Sequence, residues 1–362
     1  MVRKIDAING LRGIAIFGVI FHHAFSKYIE PGNISPRLSA LPVPQAFLSN
    51  GWLGVNLFFV LSGFVLALPY HAGVRTMSSR KDLFEFYARR LRRIAPLCYI
   101  SFLVLAIFAT TFPSKSDFFE EALFVAFFAT GFSANHWAPD ANWVLWSLSV
   151  EACFSIIFPA IMFSIDRIGM FRVLICSVIV ALVVRFIGVM PDFDSGNLYL
   201  NPVKDSFAGR VDEFVMGVAI SFWWSREKAF LRFDPKLSFI FGVIIVYLSC
   251  QAWNFCYLNP DARWVRALIN MPLDIGLVLI IAASISKRFL FVSRIIFPVP
   301  VRILGLMCYS LYIWHGKMLL MMKDTAVDSL MQYSFCLLIL SALSYRYIEM
   351  GHFKDIKKVF SI

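Results

Sequence analysis

The sequence predicts an all-α, polytopic membrane bundle of about ten transmembrane helices, with both termini cytoplasmic, on three observations. The first is composition. Of 362 residues, 59% are hydrophobic and 16% charged, where soluble chains average about 45–50% and about 25%. Mean hydropathy is +0.72. A soluble globule needs a more polar coat than this, so a cytosolic enzyme, a disordered chain, a collagen-like fibre and a disulfide scaffold are excluded. The second is the recurrence of apolar runs near 10–29, 51–70, 94–112, 144–165, 173–190, 210–224, 237–253, 270–285, 303–322 and 329–348. A bilayer core of about 30 Å takes roughly 20 helical residues. The third is charge asymmetry. With the N-terminus inside and ten crossings, the inner segments hold 23 Lys and Arg and the outer segments six, as the positive-inside rule requires.

An eleventh run, 118–134, is short and contains Glu120, Glu121 and Gly131. Counting it as a crossing would exchange the sides of every later loop and erase the asymmetry. It is therefore expected to be re-entrant or to lie at the outer interface. The net charge of +11 then reflects topology, not nucleic-acid binding. Cys98, Cys153, Cys176, Cys308 and Cys336 lie in apolar runs and read as small hydrophobes. Cys250 and Cys256 sit near one membrane edge, where a bridge is open. No cleavable signal is evident, so the first run should stay as a span.

Along the chain, ionisable residues inside spans are functional candidates by default. In the first span, NGLRGIAIFGVIFHHAF, Arg12 and His23 are separated by about 1100°, three turns plus roughly 20°, so they share a face about 16 Å apart. They can line one channel, or they are an interface Arg and a hydrogen-bonded His. His22 points elsewhere. The second span, GWLGVNLFFVLSGFVLALPY, carries Asn56, Ser62 and Gly63. Small residues there suit helix packing, while the Asn56 amide needs partners. The stretch 75–93 reads as an amphipathic interfacial helix, capped by Ser79 with Asp82 in its first turn. Phe84 and Phe86 should face lipid, with Arg89, Arg90, Arg92 and Arg93 near the surface. Four Arg in five positions suit phosphate recognition or lipid headgroups.

The fourth span opens NWVLWSLSVEACF. Trp143 and Trp146 suit the interfacial belt, but Glu151 needs a partner, with His23, Arg210 or His315 as candidates. Arg210 and Glu213, i and i+3 in the sixth span, can pair locally. Tyr312 and His315 share a face in the ninth, and Arg346 and Glu349 are similarly spaced in the last. The pattern is an outer group (His23, Glu151, Arg210, Glu213, His315) and an inner basic group (Arg12, Arg89, Arg90, Arg93). A His or His–Glu pair can take the proton of an attacking alcohol, and an Arg cluster can hold a phosphorylated donor. This suggests acyl transfer from a donor inside to an alcohol outside. A glycan or anion transporter or flippase, with the same charges lining a path, is the alternative, although no inverted duplication is visible. No nucleophile elbow, Walker loop or zinc-type His motif is present, and six His without a close carboxylate ladder speak against a metal site.

The motifs IDAINGLRGIA (5–15), GWLGVNLFFVLSGF (51–64), FYARRLRRIAP (86–96), WSLSVE (146–151), RVDEFVMG (210–217), LGLMCYSLYIWH (304–315) and YRYIE (345–349) occur in order. In this the chain resembles the membrane-bound acyltransferase-3 family, which acylates surface carbohydrates and related acceptors. The resemblance implies one membrane domain over 1–362, with its motifs within 5–349 and a short basic cytoplasmic tail at 350–362. It implies a multi-pass protein of the bacterial inner membrane, among membrane lipids. The donor would be an acyl-CoA, most often acetyl-CoA, with no permanently bound cofactor. The acceptor would be a hydroxyl of a surface polysaccharide or a lipid-linked glycan. His23, Glu151, His315 and Arg210 are implied as catalytic, and Arg12, Arg89, Arg90, Arg93, Ser62 and Gly63 as donor-binding. The chain departs from the family pattern at Cys308, where Ser is common, at Gly316 and Lys317, and at Met350 and Gly351, where Pro is usual. Without the hydrolase-like periplasmic domain of some members, transfer would finish within the membrane domain or on a partner.

Overall fold

The computed structural model describes residues 2–28, 46–47, 49–108, 115–194, 200–226, 234–321 and 327–350. Every regular element among them is helical. The tail expected beyond Met350 lies outside the described residues. In order, the helices are α1 (Val2–Tyr28), α2 (Gly54–His71), α3 (Arg80–Phe108), α4 (Lys115–Ala126), α5 (Leu145–Ile168), α6 (Met170–Gly188) and α7 (Phe207–Ser225). They continue with α8 (Pro235–Leu258), α9 (Arg263–Leu268), α10 (Asn270–Ser284), α11 (Leu290–Ile296), α12 (Val299–Leu306), α13 (Cys308–Met321) and α14 (Val327–Ser344).

Over their described residues the ten apolar runs fall on helices, the ninth on two of them. Five stretches are long and apolar enough to cross a bilayer: Gly51–His71, Leu145–Ile168, Met170–Gly188, Pro235–Leu258 and Arg263–Ser284. A sixth qualifies if α12 and α13, which meet at 77°, form one span. The others carry the polar residues that made them interesting. Arg12, His22 and His23 lie in α1, the basic 80–93 stretch opens α3, and Arg210, Asp212 and Glu213 lie in α7. The continuous ninth span expected over 303–322 is instead broken at Met307. Irregular backbone at membrane depth is tolerated where it lines a cavity, and Cys308 and Tyr309, just past the break, do line one.

Local chemistry sets the helix ends. Asp82 accepts hydrogen bonds from Thr76 Oγ1 (2.9 Å) and from the Ser78 and Ser79 amides (3.1 Å each), while the Asp82 amide donates to Ser79 Oγ (3.1 Å). This is the reciprocal cap expected at α3. The Thr76 hydroxyl, then the Ser79 amide, holds the Asp82 carboxyl below its ordinary range, so the cap persists above that range and is lost as pH falls through the lowered value. Ser206 caps α7 and Asp234, followed by Pro235, caps α8. Segment 118–134 falls on α4, a 12-residue helix that starts at Lys115, and on a 3-10 turn; about 18 Å of helix is too short to cross. Glu121 fastens it by accepting from the Asp140 and Ala141 amides at 2.7 and 3.1 Å.

The amphipathic stretch differs from expectation in one respect. Phe84 is 74% exposed, but Phe86 is 2% exposed and stacks on Phe158 at 5.4 Å. It turns inward because 80–93 is continuous with the rest of α3 and lies beside the middle of α5, where the Tyr87 hydroxyl donates to Ile156 O at 2.9 Å.

Three apolar clusters surround α1 and α2. α2 packs closely on α7. A Cβ on Gly63 would lie 1.9 Å from Phe214 O, and one on Gly217 2.0 Å from Val60 O. Small residues are what permit such backbone approach in lipid. All seven Cys are free, Cys250 and Cys256 included.

Candidate active site

α1 presents Arg12 and His23 along one face, and α13 lies across that face. At one level is a cavity lined by Arg12, Phe58, Phe59, Ser62, Arg93, Ser147, Glu151, Cys308, Tyr309 and Tyr312, among others. It encloses about 700 Å³, open space at its mouth included. Glu151 does not pair with His23, Arg210 or His315. Its Oε1 accepts from Arg90 Nη2 at 2.7 Å and from Ser62 Oγ at 3.2 Å. Arg90 Nε also donates to Ser155 Oγ at 3.0 Å. Glu151 therefore belongs with the basic group rather than the outer one, because α3 runs beside the middle of α5.

Of the Arg cluster, Arg93 lines the cavity and Arg90 holds Glu151. Arg89 turns away to Glu85 (3.3 Å), and Arg92 Nε donates to Ala88 O. Gly63 is absent from the cavity wall and sits at the α2–α7 contact. At the end of α14, Ser310 hydrogen-bonds Glu349 in the π-turn Tyr345–Glu349, while Arg346 is exposed.

The second level is an aromatic nest. The His23 and His315 rings lie 5.3 Å apart, and Trp143 packs at 4.8 Å from His23 and 6.0 Å from His315. His315 is fully buried. Its Nδ1 lies 2.6 Å from Tyr312 O. A carbonyl only accepts, so Nδ1 carries a proton, and in the neutral imidazole Nε2 keeps its lone pair. Nε2 has no hydrogen-bond partner among the described residues. Tyr312 joins the levels. Its ring is 5.3 Å from His315, its hydroxyl is 2.8 Å from Ser147 Oγ, and it forms part of the cavity wall. The arrangement offers cationic groups for a phosphorylated ligand at one level and an unprotonated ring nitrogen at the next.

The loop bearing Trp143 is tied down by Asn142 Nδ2 to Ile313 O (3.0 Å) and Lys317 Nζ to Asp140 O (2.7 Å). A Cβ on Gly316 would lie 2.6 Å from Val144 Cγ1 and 2.9 Å from Trp143. Gly316→Val should thus lift Trp143 off the two His rings. Displacing a positioning group by about 1 Å can cost roughly 10²-fold in rate. Activity measured with the thermal midpoint separates this from unfolding.

A family model described as an acyltransferase domain matches residues 5–345. The chain belongs to the acyltransferase-3 family. It is distantly similar to curated O-acetyltransferases. A protein of Staphylococcus aureus strain COL with a provisional O-acetyltransferase name is 26% identical over 383 residues, covering 96% of this chain and 57% of that protein. O-acetyltransferase OatA of S. aureus strain NCTC 8325 is 24% identical over 370 residues, again 96% and 57%. The chain thus spans a little over half the length of these relatives. No solved structure matches it.

Arg210 lies apart from the His pair. Its guanidinium bonds Asp205 and Glu213, both at 2.7 Å. Around it are Arg185 on Asp212 (2.7 Å), Lys204 on Asp205 (3.0 Å), and Asn56 Nδ2 donating to Glu213 (3.1 Å). The local Arg210–Glu213 pair is as expected. The Asn56 amide, expected to need partners, finds one here; Arg185, Lys204, Asp205 and Asp212 carry no such expectation, although Arg185 and Asp274 are lone charges in apolar runs and meet the same intramembrane criterion. Asp212, Glu213 and Asp274 bring carboxylate oxygens within 4.8 Å of one another. This is a convergence of acids that the spacing along the chain hides.

Proposed function

We propose that this acyltransferase-3 protein is an integral membrane O-acyltransferase that moves an acyl group, acetyl foremost, from acyl-CoA to a hydroxyl of a cell-surface or exported carbohydrate. What carries the reading is the joined pair of levels: a cavity bearing Arg12 and Arg93 whose Tyr312 wall packs on a buried His315 with a free Nε2. Arg12 and Arg93 would hold donor phosphates. Arg90 would fix Glu151, and Ser62 its other side. The acceptor hydroxyl gives its proton to His315 Nε2, beside His23, as its oxygen attacks the acyl carbon. The C–S bond breaks, and the coenzyme leaves as a thiol after taking up that proton. Arg210 and Gly63 hold α7 and α2 in place rather than touch the reactants, and Arg89 faces away.

This reading places one domain of ten spans in the bacterial inner membrane, both termini cytoplasmic, as the 23-to-six charge asymmetry supports. Purified protein given radiolabelled acetyl-CoA and a glycan acceptor should transfer label. Arg93→Ala should raise the KM for the donor about 10–100-fold, since a charge-assisted hydrogen bond contributes about 1.5–3 kcal/mol. Glycan movement without acetyl-CoA turnover would instead mark a transporter.

A further inference from the structure

The ion network around Arg210 has a charge surplus. Arg185, Lys204 and Arg210 face Asp205, Asp212 and Glu213, three against three, all at most 2% exposed. Asp274 adds a fourth carboxylate from α10. It is 0% exposed, and neither of its oxygens has a hydrogen-bond partner among the described residues. It is aimed at the network, with an oxygen within 4.8 Å of those of Asp212 and Glu213. A buried ion without compensation costs several kcal/mol, so one further positive charge belongs here.

The unused atoms indicate its form. Asp212 Oδ2, Glu213 Oε2 and both Asp274 oxygens lack partners, as do Asn56 Oδ1 and Asn270 Oδ1. The two amides are anchored by donating to Glu213 Oε1, at 3.1 and 3.4 Å, while their own carbonyl oxygens stay unpartnered among the described residues. An all-oxygen donor set suits a hard cation, and the carboxylate oxygens, all within 4.8 Å of one another, are close enough to share one ion. A divalent ion would overcorrect a deficit of one charge beside two guanidinium groups. We propose that Asp212, Glu213 and Asp274, with the carbonyls of Asn56 and Asn270, bind one monovalent, sodium-sized cation that ties α2, α7 and α10 together. Arg185 Nη1 is an orphan donor in the same nest, and a water accepting from it would complete the shell. The site adjoins the donor cavity, since Arg210 lies over the ring of Phe59 at 6.0 Å.

The test is thermal unfolding of the full chain in detergent, in sodium chloride against choline chloride at constant ionic strength. The thermal midpoint should rise saturably with sodium, by roughly 2 °C at tenfold above Kd, and less with potassium or calcium. Asp274→Asn should abolish the rise. Should that variant not fold, Asn270→Ala should shift the sodium titration to at least about fivefold higher concentration, one lost ligand's share. The same midpoint in sodium and choline overturns the proposal. So does an equal sodium response in wild type and Asp274→Asn. A midpoint that ignores sodium but rises on acidification, with the rise lost in Asp274→Asn, also overturns it and assigns the missing charge to a shared proton.

Discussion

His23→Ala should lower acyl transfer by about 10²–10⁴-fold, the usual contribution of a positioned acid–base group, while the protein still inserts in the membrane and unfolds near the wild-type temperature. The ring lies 5.3 Å from His315 and 4.8 Å from Trp143, so its loss removes packing in the nest and leaves the ion network on α7 intact. His315→Ala should cost as much. It removes the Nε2 acceptor itself, together with the Nδ1 bond to Tyr312 O that orients the ring. The two losses should not add, because both residues serve one proton transfer. The check is initial rate with labelled acetyl-CoA, for each single variant and the double. Wild-type rates in either single variant would remove the aromatic nest from the mechanism. A double variant worse than either single by the product of their effects would mean two separate proton-transfer steps.

Much of this site was legible in the sequence because helical geometry is periodic. The eleven-residue spacing puts Arg12 and His23 on one face, and the structure has both facing α13, Arg12 at the cavity and His23 at His315. The i,i+3 relations of Tyr312 with His315, and of Arg210 with Glu213, survive for the same reason. What periodicity cannot supply is the height at which two helices meet. Glu151 counts as near one boundary of α5 and Arg90 as near the opposite surface. They touch because α3 is a single helix running beside the middle of α5, a tertiary fact with no signature in either segment. The break at Met307 was hidden likewise, since 303–322 is apolar without interruption by Pro. Lone intramembrane charges such as Arg185 and Asp274 could have been flagged. Their convergence on Asn56 and Glu213 could not, as those residues come from four different helices.

Arg210→Ala should destabilise the protein by about 3–5 kcal/mol, the cost of removing one partner from a buried ion pair. The arginine is 1% exposed and satisfies Asp205 and Glu213 on separate nitrogens, each at 2.7 Å. Its loss leaves Glu213 with the longer 3.4 Å contact to Arg185 and two amides. Asp205 keeps Lys204 at 3.0 Å. In a membrane interior no water is at hand to replace the lost donors, so the variant should be recovered in poor yield and unfold early in a thermal scan. A catalytic Arg210 would also give an inactive variant, and stability is what separates the cases. Removing both partners of a buried pair is far milder than removing one. Arg210→Gln with Glu213→Gln should therefore recover most of the lost stability, and on the structural reading it should recover acyl transfer with it, because neither side chain lines the cavity. A double variant that folds but transfers nothing would return Arg210 to the reacting centre. It would also require the network on α7 to move toward Phe59 during turnover, since Phe59 is the cavity-wall residue whose ring lies under the Arg210 guanidinium.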